Sequence, residues 1–461
     1  MTAVDPCAAS TGGAVRSFHL LRSIAECSEL SLAIFCTPES DVDRNQSVSH
    51  LCHCTITAKA SSAQTTRQSL LRRLTSIFVR VRSDNGRQLI LTGWSLASRI
   101  EGREVTWLHA VLLFVLTCWL KISRRWSRMH PIDVHIRRDS IDDVLARLES
   151  EFPADKPPQL IWVEHSYLYS VAEQVKSCFP SAPIVVNAHN VETRLKESVA
   201  ASCQSSVARR WEFAHADLVR EIELRMLRDA AAAYCCSDSD ISIYRRIAAE
   251  SGQSLNCQLF NIPNGVDTRW FIAADRTGDE KCLLFTGTAG YRPNDEAVKM
   301  LTQQIWPDLR DLAAGIRLII AGRNAKQYWS AYVQNDDSIE LHSDVPDMRV
   351  LMQRACVSLV PLQSGSGTRL KIVEAMSMRI PVVSTTIGAE GLNLKNNEEI
   401  LIADSAADFR DAVSKLITDP DFARRISENA HRRAVADYDW LMLERRLRES
   451  FLALLAQILQ K

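Results

Sequence analysis

CVSLVPLQSGSGTRLKIVEAMSMRIPVVSTT, Cys356 to Thr386, is the stretch that decides the fold class. An apolar run of strand length gives way to small residues, then to apolar positions at helical spacing, then to a second β-branched run behind Pro381. Strand, loop, helix and strand in that order make the unit of a parallel sheet, because parallel neighbours need a crossover and a helix supplies it. With the helix beginning near Gly367, Leu370, Val373 and Met376 turn toward the sheet, while Gly367, Lys371 and Glu374 share another side.

The rhythm extends in both directions. KCLLFTG and IRLIIAG read as further strands, with EAVKMLTQQIWPDLRDL and DMRVLMQR as helices. Earlier in the chain QLIWVEH, APIVVNAHN and AAAYCCS read as buried strands and SYLYSVAEQVKSCF as a helix. LFNIPNGVD, residues 259–267, breaks the pattern: Pro263 disfavours an α conformation at Ile262, and Asn264-Gly265 is turn chemistry. The expectation is an α/β chain of two Rossmann-like parallel-sheet domains, 1–265 and 266–430, with an irregular or inserted segment at about 61–130. Residues 431–461 should form an amphipathic helix packed on the body, since Trp440, Leu441, Leu443, Leu447, Phe451, Leu454 and Leu455 fall near helical spacing.

Composition bounds the function. A chain of 461 residues exceeds one ordinary core, which agrees with two domains. Lys plus Arg and Asp plus Glu both total 55, so no global field recruits nucleic acid and anionic ligands must be caught locally. The 13 cysteines are odd in number and follow no basic-then-apolar leader, which favours a reducing cytosol over a disulfide framework. HLCHC, His50 to Cys54, carries thiols and imidazoles, but no second cysteine pair stands at finger spacing and no metal is expected. VTWLHAVLLFVLTCWL, Val105 to Leu120, is shorter than the about 20 residues a span needs and is followed by Lys121, Arg124, Arg125 and Arg128. It reads as an interfacial segment with a basic flank toward anionic lipid or as a buried helix of the first domain, with a true span the least favoured alternative.

The chemistry concentrates behind the strand CVSLVPL. Gly365 and Gly367 let backbone approach a ligand, and the first-turn N–H groups of the following helix form an anion site. A nucleotide sugar has the matching polarity: phosphates want N–H groups and cations such as Arg369 and Lys371, and a ribose diol wants an acceptor such as Glu374. The plainer alternative is a surface Lys371–Glu374 pair at i,i+3, worth a few tenths of a kcal/mol. Ligands of α/β sheets bind beyond the carboxyl ends of the strands, which favours the first reading. SDSD, Ser237 to Asp240, could suggest a metal-binding D-x-D pair, yet it stands where Ser and Asp are ordinary helix N-caps.

GSGTRLKIVEAM followed by IPVVSTTIGAEGL, with IPNGVD, FTGTAGYRPNDEAV, IIAGR, VNAHNVE and, more weakly, GGAVRSFHLLRSIAE, resembles the family 4 glycosyltransferases of the two-domain GT-B fold, in their GTRLK subgroup. The resemblance implies transfer of a sugar from a nucleotide-sugar donor with retention of configuration and no metal or other cofactor. It matches Glu374 to the ribose carboxylate and Arg369 and Lys371 to the cations at the departing diphosphate. It matches His189 to the histidine facing the reacting sugar from the acceptor domain, and Gly12 and Gly13 to a loop near the donor phosphates. Gly287, Gly322, Arg323, Gly365, Ser366, Gly367 and Thr368 fall at the remaining donor-binding positions. The acceptor is expected to be a glycan or lipid-linked, as in surface polysaccharide assembly, and the protein cytoplasmic with peripheral contact at the inner face of the plasma membrane. An epimerase of the same fold, or a non-catalytic sugar-nucleotide-binding or scaffolding relative, are the alternatives. Three positions depart from the family pattern: Ser366 stands where many relatives carry a first glutamate, Arg379 where a helix-ending glycine is usual, and no apolar strand precedes Gly12.

Overall fold

The computed structural model describes residues 12–27, 31–36, 54–59, 80–82, 88–90, 145–150, 152–203, 205–273, 282–311, 315–334, 336–364 and 368–460. The apolar run Val105–Leu120, most of HLCHC, and Gly365, Ser366 and Gly367 lie outside the described residues. One compact unit gathers described residues within Glu29–Ala233 and Ile243–Gln258, the other those within Ala9–Ser28, Tyr234–Ser242 and Leu259–Lys461. Among the described residues no helix is long and apolar enough to cross a membrane.

Helix α1 (Gly12–Ala25) opens the described chain and belongs to the second unit. Strand β1 (Ser31–Cys36) pairs in parallel with β2 (Cys54–Lys59), and β3 (Arg80–Arg82) pairs antiparallel with β4 (Gln88–Ile90). A four-stranded sheet then runs β5 (Ile161–Glu164), β6 (Ile184–Asn187), β7 (Ala232–Cys235), β8 (Gln258–Asn261) in spatial as in chain order. Its connections carry α2 (Tyr169–Cys178), α3 (Glu192–Ser202), α4 (Ser206–Asp229) and α5 (Asp238–Ser251). The first three of these strands are buried at every position, as expected of a sheet covered on both faces.

The second unit holds β9 (Cys282–Thr286), α6 (Arg292–Met300), β10 (Arg317–Gly322), α7 (Ala325–Val333), β11 (Ile339–Ser343), α8 (Arg349–Arg354), β12 (Ala355–Val360), α9 (Leu370–Ser377), β13 (Val382–Ser384), β14 (Leu401–Ile402), α10 (Ala406–Thr418), α11 (Pro420–Arg433) and α12 (Trp440–Leu459). Its six strands are parallel in the spatial order β11-β10-β9-β12-β13-β14. The chain winds outward one way from β9, returns to β12, and winds the other way. The topological switch therefore lies between β9 and β12, where a doubly wound sheet opens a crevice at its carboxyl end. The α/β class and the parallel sheets agree with the sequence.

The sequence reading named none of β1–β4, and within the two larger sheets it missed three strands: β8, β11 and β14. All three are sheet edges, and β8 and β11 are mostly half-buried, so their residues carry a weaker apolar signal. IPNGVD turns immediately after β8, and Gly265 is needed there for contact as well as for the turn. A Cβ at Gly265 would stand 2.7 Å from Leu443 Cδ1 and 2.8 Å from Trp440 Cδ2, both on α12. That helix buries Trp440, Leu443, Leu447, Phe451 and Leu454 as expected, while Leu441 is half exposed. Leu20, Leu21 and Ile24 of α1 are buried too, and His19 stacks on Trp440 at 4.2 Å between ring centres.

Candidate active site

At the switch point the loop after β12 is tied down on both sides. Ser364, fully buried, donates from Oγ to Glu296 Oε2 of α6 at 3.1 Å. Thr368 accepts from the Asn264 backbone N–H at Oγ1 (3.3 Å) and from Asn264 Nδ2 at its carbonyl (3.4 Å). Those bonds hold the chain extended through Arg369 (φ −90°, ψ 102°), so α9 begins at Leu370 with Arg369 as its N-cap. The helix was expected to begin near Gly367; it begins three residues later, with Lys371 and Glu374 within it.

Lys371 Nζ donates to Asn294 Oδ1 at 3.1 Å and lies 4.4 Å from the ring centre of Phe285 on β9. Asn294 reaches it because position 287 is glycine: a Cβ there would come within 2.8 Å of Asn294 Cγ. Gly322 is more constrained still, since its Cβ would fall 1.7 Å from the Gly287 carbonyl oxygen. The ends of β9 and β10 thus meet backbone to backbone beside the lysine, with Gly287 N–H donating to Ala321 O at 3.0 Å. Arg323, the next residue, is exposed, and its carbonyl accepts from Ala289 N–H at 3.0 Å.

Lys371 and Glu374 do not form an ion pair among the described residues, which removes the surface-pair reading. Burial drives both toward neutrality: Lys371 is pulled down to about 7, helped by the Arg369 charge, and Glu374 is pushed up to about 7 against the pull of Lys371. A cation and a carboxylate at one helix start, each short of counter-charge, suit a ligand that supplies an anion and hydroxyl donors together.

Arg369 is buried, and burial lowers its pKa against the opposing pull of Tyr291, Glu390 and Asp240. Asp240 is buried as well; desolvation raises it to about 6, opposed by the Ser237 hydroxyl and by Arg16 and Arg369. Ser237 Oγ accepts from Asp240 N–H at 3.0 Å, so SDSD caps α5 as expected. Arg16 of α1 donates to Ile262 O and lies 3.4 Å from Tyr234 O. Gly12 and Gly13 form the first turn of α1 and do not lie in a loop before it.

His189 sits in the other unit, at the end of β6, and is almost wholly buried. Its Nε2 is 2.9 Å from Glu164 Oε2, and Glu164 also accepts from Asn187 Nδ2 (2.8 Å) and Trp162 Nε1 (2.6 Å). His165 stacks on His189 at 3.8 Å between ring centres, in a left-handed backbone (φ 75°) that a non-glycine residue adopts only under restraint. Behind it Glu223 of α4 accepts from Glu192 N–H (2.8 Å), Thr193 N–H (3.1 Å), Thr193 Oγ1 (2.6 Å), Tyr244 OH (3.1 Å) and Ser166 Oγ (3.3 Å). It thereby caps α3 from a distance and fixes the VNAHNVE turn, though burial still pushes it up to about 7.

Glu164, Asn187, Glu223 and Asn294 escaped the sequence reading. Two signals were present. WVEH and VVNAH each end an apolar strand on polar residues, and Glu164 and Asn187 are register partners in adjacent parallel strands. Glu223 interrupts the apolar stripe of Val219, Ile222, Met226 and Leu227, where a charge needs internal partners.

Residues 280–419 match the family model Glyco_trans_1_4, described as Glycosyl transferases group 1. The match lies wholly within the second unit. The chain spans 38% and 42% of the lengths of the curated relatives it matches. One, the "Uncharacterized 44.6 kDa protein in cps region" of Klebsiella pneumoniae, is 24% identical over 34% of this chain and 42% of its own. Among solved structures, sucrose-phosphate synthase from Thermosynechococcus elongatus is similar over 98% of this chain and 97% of its own, with TM-score 0.61 and 15% identity. HepE from Anabaena, solved with UDP-glucose, is similar over 96% of both chains, with TM-score 0.59 and 10% identity. At such identities the likeness is one of fold, and that fold is the GT-B type.

Proposed function

We propose that the protein is a retaining, metal-independent glycosyltransferase of family 4, GTRLK subgroup, moving a hexose from a nucleotide sugar to a glycan or lipid-linked acceptor. The observation that carries the reading is the pair Lys371 and Glu374, each driven toward neutrality by burial, directly behind the buried Arg369 at the start of α9 and beside the switch point of the second sheet. A diphosphate there meets two cations and the helix N-terminus, and the ribose hydroxyls donate to Glu374. As the glycosidic bond breaks, charge grows on the β-phosphate oxygen, so these fixed groups bind the transition state more strongly than the ground state. His189 orients the sugar, and the leaving phosphate helps take the acceptor proton. The UDP-glucose held by HepE supports a nucleotide-sugar donor, and the cps-region relative supports a role in surface polysaccharide assembly. A cytoplasmic location with peripheral membrane contact through Val105–Leu120 completes the reading; co-flotation with anionic vesicles tests that contact.

The deciding experiment incubates the protein with individual UDP-, GDP- and other nucleotide sugars, with and without acceptor, and measures free nucleotide. Release that disappears in Glu374→Ala and Arg369→Ala supports transfer. Tight donor binding without turnover, or an altered sugar still attached to its nucleotide, overturns it in favour of a binding protein or an epimerase.

A further inference from the structure

Beside the well-bonded Glu223 of the first unit stands a second buried carboxylate whose needs are not met. Glu223 Oε1 accepts from Glu192 N–H at 2.8 Å and from Ser166 Oγ at 3.3 Å, which ties the first residue of α3 to the turn after β5. Tyr167 and Glu192 are thereby brought together beyond the carboxyl ends of β5 and β6, where ligands of parallel sheets bind. The Glu192 side chain lies in a residue only 7% exposed, and its one hydrogen bond among the described residues is long, 3.3 Å from Asn190 Nδ2 to Oε1. Oε2 has none there. Burial raises its pKa, and Lys196, the cation that opposes this, also pairs with Glu212 of α4 at 3.6 Å.

Tyr167 stands at the same rim. Its half-buried ring stacks on His165 at 4.8 Å between centres, and His165 stacks on His189 at 3.8 Å. The phenol thus forms one end of a ring column whose other end is the residue assigned to the reacting sugar. Its hydroxyl has no hydrogen-bond partner among the described residues, and of the charges felt there Glu192's is the largest. A carboxylate only accepts, whereas a phenol both donates and accepts. Together they match two neighbouring hydroxyls of a sugar, one donating to Glu192 and the other exchanging a hydrogen bond with Tyr167. A phosphate suits the place poorly, because Glu192 and Glu164 both bear on the phenol and the cation that reaches Glu192 already has a partner.

We propose that Tyr167 and Glu192 form a hydroxyl-binding subsite for the acceptor, and that the acceptor's reacting end is a neutral sugar and not a lipid phosphate. This deepens the proposed function and rests on it for the role of the bound sugar; the binding itself needs no donor.

The test titrates the full chain, without donor, with the methyl α-glycosides of glucose, galactose, mannose and N-acetylglucosamine, and with sn-glycerol 3-phosphate as the anionic probe. Saturation transfer from protein to ligand is followed by NMR. One or more of the glycosides should give a saturable signal in the wild type. Its Kd should rise about tenfold or more in Glu192→Gln, which removes a charged acceptor, and about threefold or more in Tyr167→Phe, which removes one neutral hydrogen bond. With donor added, KM for that glycoside should rise by the same factors while KM for the donor holds, a separation that a merely structural lesion would not produce. Thermal melting checks the fold of both variants, and if Glu192→Gln does not fold, Tyr167→Phe decides. Binding of no glycoside, equal binding by both variants, or weakening confined to the phosphate probe overturns the proposal. Glycoside binding without any glycosyl transfer would instead overturn the proposed function and leave the hydroxyl site, so the two failures are told apart.

Discussion

Glu164, fully buried at the end of β5, and Glu374, half-buried on α9, are both carboxylates, and their surroundings are opposite. Glu164 accepts from Trp162 Nε1 and Asn187 Nδ2 and lies 2.9 Å from His189 Nε2, whereas the Glu374 carboxylate has no hydrogen-bond partner among the described residues. The same contrast separates Glu223, with five donors around it, from Lys371, whose charge is opposed by burial and by Arg369. A closed network fixes geometry and meets its carboxylate with internal donors, even where burial still raises the pKa as at Glu223. An open one stores that demand, at the expense of stability, until something arrives to meet it.

The contrast is broken most directly at Lys371. In Lys371→Met, nucleotide release from the preferred donor should fall by on the order of 10² or more, the usual loss when a group stabilising transition-state charge is removed. Folding should not suffer in parallel. Lys371 is depressed from 10.5 to about 7, so its burial penalty is fully present below pH 7 and fades as pH rises toward 10.5. The variant should therefore melt at the same or a higher temperature at pH 7, and that advantage should shrink toward pH 10. A variant that loses activity and stability together would remove the distinction between the two sites.

Glu223→Ala tests the closed side. It strands two backbone N–H groups and three hydroxyls, and since an unmet buried donor costs about 1–3 kcal/mol and water can meet some of these, a net loss of about 2–3 kcal/mol is expected in urea unfolding. Donor affinity measured well below the transition should hold, because the groups assigned to the nucleotide belong to the other network.

The open side also has a proton signature. At pH 8 Lys371 is mostly neutral and Glu374 mostly ionised, so an arriving diphosphate should recharge the lysine and take up a proton. Calorimetry of UDP binding in buffers of different ionisation enthalpy should show uptake at pH 8, with Kd rising by up to about tenfold per pH unit above 8. Lys371→Met should abolish the uptake. Binding without proton exchange in the wild type would mean that the lysine does not meet the phosphates.

How far each region could be read in the sequence follows the same division. Cys356 to Thr386 is local: strand, loop, helix and strand are contiguous, the ligand-facing groups lie within one turn of each other, and the spacing alone exposes them. Only the helix start was misjudged, because what holds Thr368 and Arg369 extended is Asn264, far off in the chain. The network around His189 is assembled from β5, β6, α3, α4 and α5, and a single histidine at a strand end says nothing of its partners. Lys371 itself was legible, yet its dependence on Gly287 through Asn294 was not, since it requires knowing that β9 and β12 are neighbours.

The smallest effect is expected at the far end of α9, where the same helix that offers chemistry at one end is purely structural at the other. Ile380 N–H donates to Ala375 O at 2.9 Å and Arg379 N–H to Met376 O at 3.1 Å, the paired bonds of a Schellman ending. That ending requires a left-handed residue after the cap, and Arg379 occupies it with φ 54°. An L side chain there costs about 1 kcal/mol, which glycine would relieve while giving back part of the gain through its freer unfolded chain. Arg379→Gly should therefore stabilise by about 0.5–1 kcal/mol in urea unfolding and leave nucleotide release unchanged. Since Arg379 is exposed, little packing is lost to obscure the difference. If release changed as well, the two ends of the helix would be coupled, and the start of α9 could not be treated as a site set only by its own neighbours.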